Sequence, residues 1–307
     1  MILVTGASGL NGSAVIREFV RRGRPVRALV HDPAKAATLR PAPDVDVVVG
    51  DMGRPETLGR ALDGVDRALM ISTANAKLVD TQCTFIDAAK KAGVSHIVKF
   101  SGIGSRDGAP SSFRFVRMHR EVERYLEGSG LRWTHIRPSQ FMHVYLREAR
   151  TIATEGAFYL PLGDAKLAPI DVEDIARIAF AILHAEAQHE KRHEMTGPEA
   201  LTMTEVAACL SDALGNKVRY VDVDPAEMRT AILAAGTPPA FADAMDELFA
   251  LRRSGVSDES SVNLGAHDAF GIRPTSFLEF ARRNREVFLG RSTPTHLWSS
   301  ARQAPET

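Results

Sequence analysis

The chain has 307 residues, 44% of them apolar and 25% charged, and its formal net charge is zero. Such a chain suits one large globular domain, or a large one with a small appendage. The balanced charge excludes the basic footprint of a nucleic-acid or anionic-membrane binder and leaves a small molecule or a protein as the expected partner.

No stretch approaches the roughly 20 apolar residues of a membrane span, so no membrane association is expected. Met1-Ile2-Leu3-Val4 starts like a signal peptide but breaks at Thr5-Gly6, far short of an apolar targeting core. Cys83 and Cys209 lie far apart in apolar helical patterns. They read as reduced, buried thiols of a cytoplasmic protein.

Short β-rich runs alternate with helical periods over the first 140 or so residues. Strands are predicted at Ile2 to Val4, Val26 to Val30, Val45 to Val49, Ala68 to Ile71 and His96 to Phe100, and helices at Ala14 to Arg22, Ala34 to Leu39, Glu56 to Leu62 and Val79 to Ala92. Near-continuous apolar strands between helices predict a parallel sheet covered on both faces. Right-handed crossovers make that a Rossmann-type, doubly wound α/β sheet. A helix over Phe115 to Leu126 and a strand over Trp133 to Ile136 follow.

Beyond Pro138 the rhythm is irregular. Strand candidates at Phe158 to Leu160 and Val218 to Val221 mix with helices at Ile175 to Leu183, Met203 to Leu214 and Ala226 to Leu233. The expected division is a nucleotide-binding domain over 1–140 and a smaller, mainly helical C-terminal lobe over 141–291, interleaved with the first. A polar tail over 292–307 has little periodicity.

Thr5-Gly6-Ala7-Ser8-Gly9-Leu10-Asn11-Gly12 follows the first strand at once and opens the first helix. One glycine permits the tight turn, another lets a pyrophosphate approach the backbone, and the last lets helix and strand pack. Unpaired N–H groups at the positive helix end then hold the phosphates. Strand, loop, helix and next strand fall in order within about 30 residues, as the dinucleotide fingerprint requires. The second strand ends Leu29-Val30-His31-Asp32-Pro33-Ala34-Lys35. His31, with Lys35 nearby, occupies the place where NAD enzymes carry an acid for the ribose 2′-hydroxyl, and a cation there suits the 2′-phosphate of NADP(H). Asp32 stands one residue away, which leaves NAD(H) open.

These residues carry a resemblance. The Thr-Gly-x-x-Gly-x-x-Gly loop, Val30-His31-Asp32-Pro33-Ala34-Lys35, Gly50-Asp51, Ser129 to Pro138 (Ser-Gly-Leu-Arg-Trp-Thr-His-Ile-Arg-Pro), Asp171-Val172-Glu173-Asp174-Ile175-Ala176 and Thr196-Gly197-Pro198-Glu199 resemble the NmrA-like, atypical short-chain dehydrogenase/reductase family. The similarity runs to about Gly290. The family includes NADPH-dependent quinone, azo-dye, triarylmethane and iminium reductases, isoflavone-type reductases, and redox sensors without known catalysis. The resemblance implies that Asp51 meets the adenine, that Ser72 and Thr73 line the dinucleotide, and that Pro138, Ser139 and Phe141 lie near the nicotinamide. Family members usually hold the 2′-phosphate with an arginine where this chain has His31.

Carbonyl reduction needs a proton as hydride arrives, and typical short-chain dehydrogenases supply it through Tyr-x-x-x-Lys. None of the tyrosines, Tyr125, Tyr145, Tyr159 and Tyr220, has a lysine four residues on. The resemblance puts His119 where isoflavone-type reductases carry a catalytic lysine. His119 shares a helix face with Phe115, Val122 and Leu126 and is expected to point inward. Glu123, one turn on, offers it a carboxylate, although Arg120 and Arg124 offer Glu123 ordinary surface pairs. Ser101 ends the fifth strand, at the sheet edge where ligands bind, and resembles the catalytic serine of the wider superfamily.

Quinones, iminium ions and extended cationic dyes accept hydride without a concerted proton. The leading expectation is therefore hydride transfer from NADPH to a conjugated electrophile, with Phe141, Met142, Tyr145 and the Met228 to Leu233 helix as apolar walls. The alternative is a non-catalytic NADP-sensing regulator with a protein partner. A homo-oligomer is left open. His189-Glu190-Lys191-Arg192-His193 matches the zinc-protease pattern, but it is expected in a solvated, charge-dense loop rather than a helix, and no metal is expected.

Overall fold

A computed structural model describes residues 1–39, 43–104 and 111–293. Seven strands form one parallel sheet: β1 (Ile2–Val4), β2 (Val26–Val30), β3 (Val45–Val49), β4 (Arg67–Met70), β5 (His96–Phe100), β6 (Arg132–Pro138) and, after a two-stranded excursion that supplies β7 (Ala157–Leu160), β8 (Lys191–Met195). Their order is β3-β2-β1-β4-β5-β6-β8. Because β1 has β2 on one side and β4 on the other, the chain reverses its winding between β1 and β4, and a crevice opens there at the carboxyl edge.

The sheet is apolar on both faces, as buried parallel strands require. Alternate residues face opposite layers. Val4, Ala28, Leu69 and Val98 pack with the helices α1 (Leu10–Arg21) and, later in the chain, α7 (Val172–His184). Leu3, Leu29, Ala68 and Ile97 pack with those of the opposite layer. There lie α3 (Gly59–Leu62), α4 (Leu78–Lys91) and α5 (Arg114–Gly128), while α2 (Pro33–Leu39) sits beside β3.

A second core, containing Met142, Tyr145, Phe158, Phe277, Phe280 and Phe288, lies in the later half. It gathers α6 (Ala149–Glu155), α8 (Met203–Leu214), the short sheet of β7 with β9 (Arg219–Asp222), α9 (Pro225–Ala234), α10 (Pro239–Arg253), α12 (Phe277–Arg283) and α13 (Arg285–Phe288), whereas α11 (Gly265–Phe270) packs on the first core beside β8 and α7. Capping boxes, Thr202 with Glu205 and Ser276 with Glu279, start α8 and α12, each satisfying otherwise orphaned N–H groups.

Two expectations need correction. The run Lys191–Met195 is the edge strand β8 rather than a loop. Its charged residues suit an edge, where outward charges block further pairing, and that polarity hid the strand from a hydrophobicity reading. His193 Nε2 lies 3.1 Å from Gln188 Oε1, and no cluster able to hold a metal occurs among the described residues. Cys83 and Cys209 are free but only half-buried. No helix among the described residues is long and apolar enough to cross a membrane. The expected tail lies almost wholly outside the described residues.

Candidate active site

The switch point is built first by Thr5, which is fully buried. Its hydroxyl donates to the Ile71 carbonyl at 2.7 Å and accepts from the Ile71 amide at 2.8 Å, tying the ends of β1 and β4 together. Gly6 then turns with φ of +57° and has the Ile71 carbonyl 2.9 Å from where a Cβ would stand. A Cβ on Gly12 would lie 2.2 Å from the Gly6 carbonyl, so only glycine lets the loop fold onto the first turn of α1. Gly9 caps α1 without a side-chain hydrogen bond, and the first turn has no acidic residue. The helix start is left open and positive. Nearby, the buried Asn11 Oδ1 has no hydrogen-bond partner among the described residues. An open helix end, a glycine cradle and an unmet polar atom fit a pyrophosphate.

The ends of β2 and β3 define the ribose side. Asp32 is committed locally: its Oδ1 accepts from the Ala34 amide at 2.9 Å and its carbonyl from the Lys35 amide at 3.1 Å, which starts α2. His31 is exposed, and its Nδ1 is 3.6 Å from Asp51 Oδ2. Asp51 Oδ1 accepts from the Gly53 amide at 2.8 Å. Ser72 accepts a hydrogen bond from the buried Gln82 at 2.8 Å, and Thr73 is exposed beside it.

Next to this loop is a cavity of about 540 Å³, within the usual range for small-molecule sites. Three loops at the carboxyl edge contribute to it, through Ala74 after β4, Gly102 to Gly104 after β5, and Pro138 to Phe141 after β6. Phe141 and Tyr145 line it, as do Met228 and Ile232 from α9. The Tyr145 ring is nevertheless buried, its hydroxyl 3.6 Å from Met203 Sδ, and burial raises its pKa. Its role in the wall is therefore largely packing. Met245 and Phe249 of α10 also line the cavity, and the sequence reading had no helix there.

His119 faces the same cavity, whereas Ser101 is buried behind the lining and outside it. The partner of His119 differs from the one expected. Glu123 is buried against Arg137, accepting from its Nε at 3.1 Å and its Nη2 at 2.5 Å. The group against His119 is Lys99 of β5, whose Nζ stands 2.9 Å from His119 Nδ1. Burial pulls Lys99 from the usual 10.5 down to about 7. Burial, and then the Lys99 charge, hold His119 well below the ordinary histidine value, so its ring is neutral. Lys99 was missed, although an ionisable residue inside the apolar run His96 to Phe100 was a readable signal.

Replacing Glu123 by Ala leaves the Arg137 guanidinium buried without its main counter-charge, and a loss of about 3–5 kcal/mol is expected. Denaturant unfolding checks this; an unchanged midpoint contradicts it.

A reversed parallel sheet with a glycine-cradled helix end at its switch point, opening on an apolar cavity, defines a Rossmann-type α/β protein with a small-molecule site. The chain belongs to the NmrA-like family, whose model matches residues 1–281. It is 38% identical over 293 residues to an NAD(P)H azoreductase of Xenophilus azovorans, covering 94% of this chain and 99% of that protein. It is 32% identical over 265 residues to quinone oxidoreductase 2 of Escherichia coli, covering 85% and 91% of the two chains. Its structure is similar to that of an NADPH-dependent quinone oxidoreductase from Escherichia coli complexed with NADPH, with a TM-score of 0.81 and 29% identity, covering 92% of this chain and 99% of that one.

Proposed function

We propose that this protein is an NADPH-dependent reductase that delivers hydride to a planar, conjugated electrophile such as a quinone, an iminium ion or a dye. The observation that carries the reading is the apolar cavity of about 540 Å³ bounded by the loops that follow β4, β5 and β6. Relatives named for azo, quinone and NAD(P)H chemistry support it.

Residues Gly6, Ala7, Ser8, Gly9, Leu10, Asn11 and Gly12 would hold the pyrophosphate, Asp51 the adenine side, and Ser72, Thr73 and Pro138 the path toward the cavity. Because Asp32 Oδ1 is committed to starting α2, the exposed His31 and Lys35 would supply the positive side toward the 2′-phosphate, with Asp51 Oδ2 3.6 Å from His31 Nδ1. The bound dinucleotide supplies the hydride. The chain's own residues exclude water with apolar walls, Phe141 among them, and present His119 as the proton donor. The buried Ser101 supports the loop after β5, its amide donating to the Ile136 carbonyl at 2.8 Å. A cytoplasmic setting and a small-molecule partner accord with this reading.

Lys35→Glu places a negative charge near the 2′-phosphate. The NADPH-over-NADH preference in kcat/KM is expected to fall by about tenfold, the effect of roughly 1.4 kcal/mol; an unchanged preference contradicts the assignment. The reading itself is tested by following NADPH absorbance against quinones, iminium salts, azo dyes and simple ketones, with NADH in parallel. Turnover of the conjugated acceptors is expected. Tight NADPH binding without turnover would favour a sensor.

A further inference from the structure

The sheet interior holds a titratable group that hydride transfer does not by itself explain. Lys99 lies in β5, where all five residues are buried, and its side chain is fully inaccessible. Burying an amino group is costly unless it is used or paired. Among the described residues its Nζ reaches two acceptors, His119 Nδ1 at 2.9 Å and the Phe100 carbonyl at 3.4 Å. The titratable groups that face it are Glu123 from α5, Arg137 and His135 from β6, and Cys83 from α4. Glu123 is engaged by Arg137, and His135 Nε2 is 2.9 Å from Glu127. Burial raises Cys83 to about 11, which keeps it a neutral thiol. No carboxylate forms a direct ion pair with Lys99 among the described residues.

We propose that Lys99 is the positioning residue and proton reservoir for His119, an inference that rests on the reductase reading above. Its ammonium donates to Nδ1, which fixes the ring proton on Nε2, since a neutral imidazole has one donor and one acceptor nitrogen. Nε2 has no hydrogen-bond partner among the described residues, and the ring lines the cavity.

The step balances without charging the ring. Two electrons and a hydrogen arrive as hydride from NADPH at the electrophilic centre of the acceptor, and the acceptor oxygen becomes anionic. The His119 Nε2–H bond breaks as an O–H bond forms, while a Lys99 N–H bond breaks as an Nδ1–H bond forms. Lys99 ends as a neutral amine and His119 as its other tautomer. After product leaves, a proton entering from the cavity reverses the shift. The imidazolium that burial disfavours is never populated, and the buried ammonium is discharged in the same step.

The direction with pH follows. Contrary to the expectation from sequence, a quinone takes a proton with the hydride, because its product is otherwise an oxyanion. The reactive form is the ammonium, so quinone turnover falls as pH rises through about 7, where Lys99 loses its proton. Acceptors that need no proton, such as iminium ions and cationic dyes, do not share that fall.

The test combines two readouts. Nitrogen-15 NMR of the labelled full chain without cofactor reads the His119 tautomer directly. The Nε2–H form is expected below pH 7, with a change toward mixed tautomers as Lys99 deprotonates. Lys99→Gln keeps a donor and is expected to retain the Nε2–H form at all pH values, while Lys99→Met is expected to lose it. In turnover, the ratio of quinone to cationic-dye kcat in Lys99→Gln is expected to drop by about 100-fold, a general-acid effect, with the falling limb near pH 7 gone. A wild-type ring protonated on Nδ1 below pH 7, or a limb that persists in Lys99→Gln, overturns the proposal. A protein that turns over no acceptor overturns the reductase reading, and the tautomer measurement then still decides whether Lys99 positions His119.

Discussion

Gly12→Ala is expected to weaken NADPH binding by about 100-fold, close to 2.7 kcal/mol. The added methyl would meet only backbone: the Gly6 carbonyl oxygen at 2.2 Å, its carbon at 2.7 Å and Ala7 Cα at 2.8 Å. No side chain is there to swing aside, so α1 must lift or the loop must move. The loop is held by Gly9 N–H to the Gly6 carbonyl at 2.9 Å and Ala7 N–H to the Leu29 carbonyl at 3.3 Å. Displacing amides by about 1 Å from a bound phosphate is enough for such a loss, as in other positioning defects. Overpacking also costs stability, about 1–3 kcal/mol. Gly128→Ala, at the end of α5, is the control, because its Cβ would meet nothing within 4 Å, and NADPH affinity is expected to be unchanged there. Titration of NADPH fluorescence separates the two. Equal affinity in Gly12→Ala and the parent would contradict the phosphate-loop assignment.

His119→Ala is expected to lower kcat for a quinone by about 10²–10³-fold with a much smaller drop for a cationic dye. The proton demand differs between these acceptors, and His119 is the ionisable ring that joins the cavity to Lys99. Removing the ring also enlarges an apolar cavity, an effect common to both substrates. Their ratio therefore isolates the proton. A parallel loss on both acceptors would assign His119 to packing or substrate contact alone.

Much of the sheet was legible because buried parallel strands are apolar runs and the helices between them keep a 3.6-residue period. The phosphate loop was legible because its glycines answer to local geometry, visible at Gly6 and Gly12. Asp32 was ambiguous in sequence, and in the fold its Oδ1 accepts from the Ala34 amide at 2.9 Å, as an aspartate ahead of a helix readily does. Other features depend on distant residues. The edge strand β8 looks like a charged loop because its sheet partner β6 lies some 50 residues earlier in the chain, at register pairs such as Ile136 with His193. Glu123 had two arginines on its own helix, and the tertiary fold gave it a third, Arg137. Lys99 and His119 are 20 residues apart and meet only because β5 and α5 pack together. Helical spacing told which way His119 points, and only the packed sheet told what it meets.

The central claim is direct hydride delivery to a conjugated acceptor in this cavity. The most direct measurement is a single turnover of a cationic triarylmethane dye with NADPH deuterated at one face of nicotinamide C4, read by mass spectrometry of the reduced dye. The account predicts that one face transfers its deuterium to the dye carbon with a primary isotope effect on the rate. Bound NADPH that is never consumed, or reduced dye carrying only solvent hydrogen with either deuterated face, would contradict it.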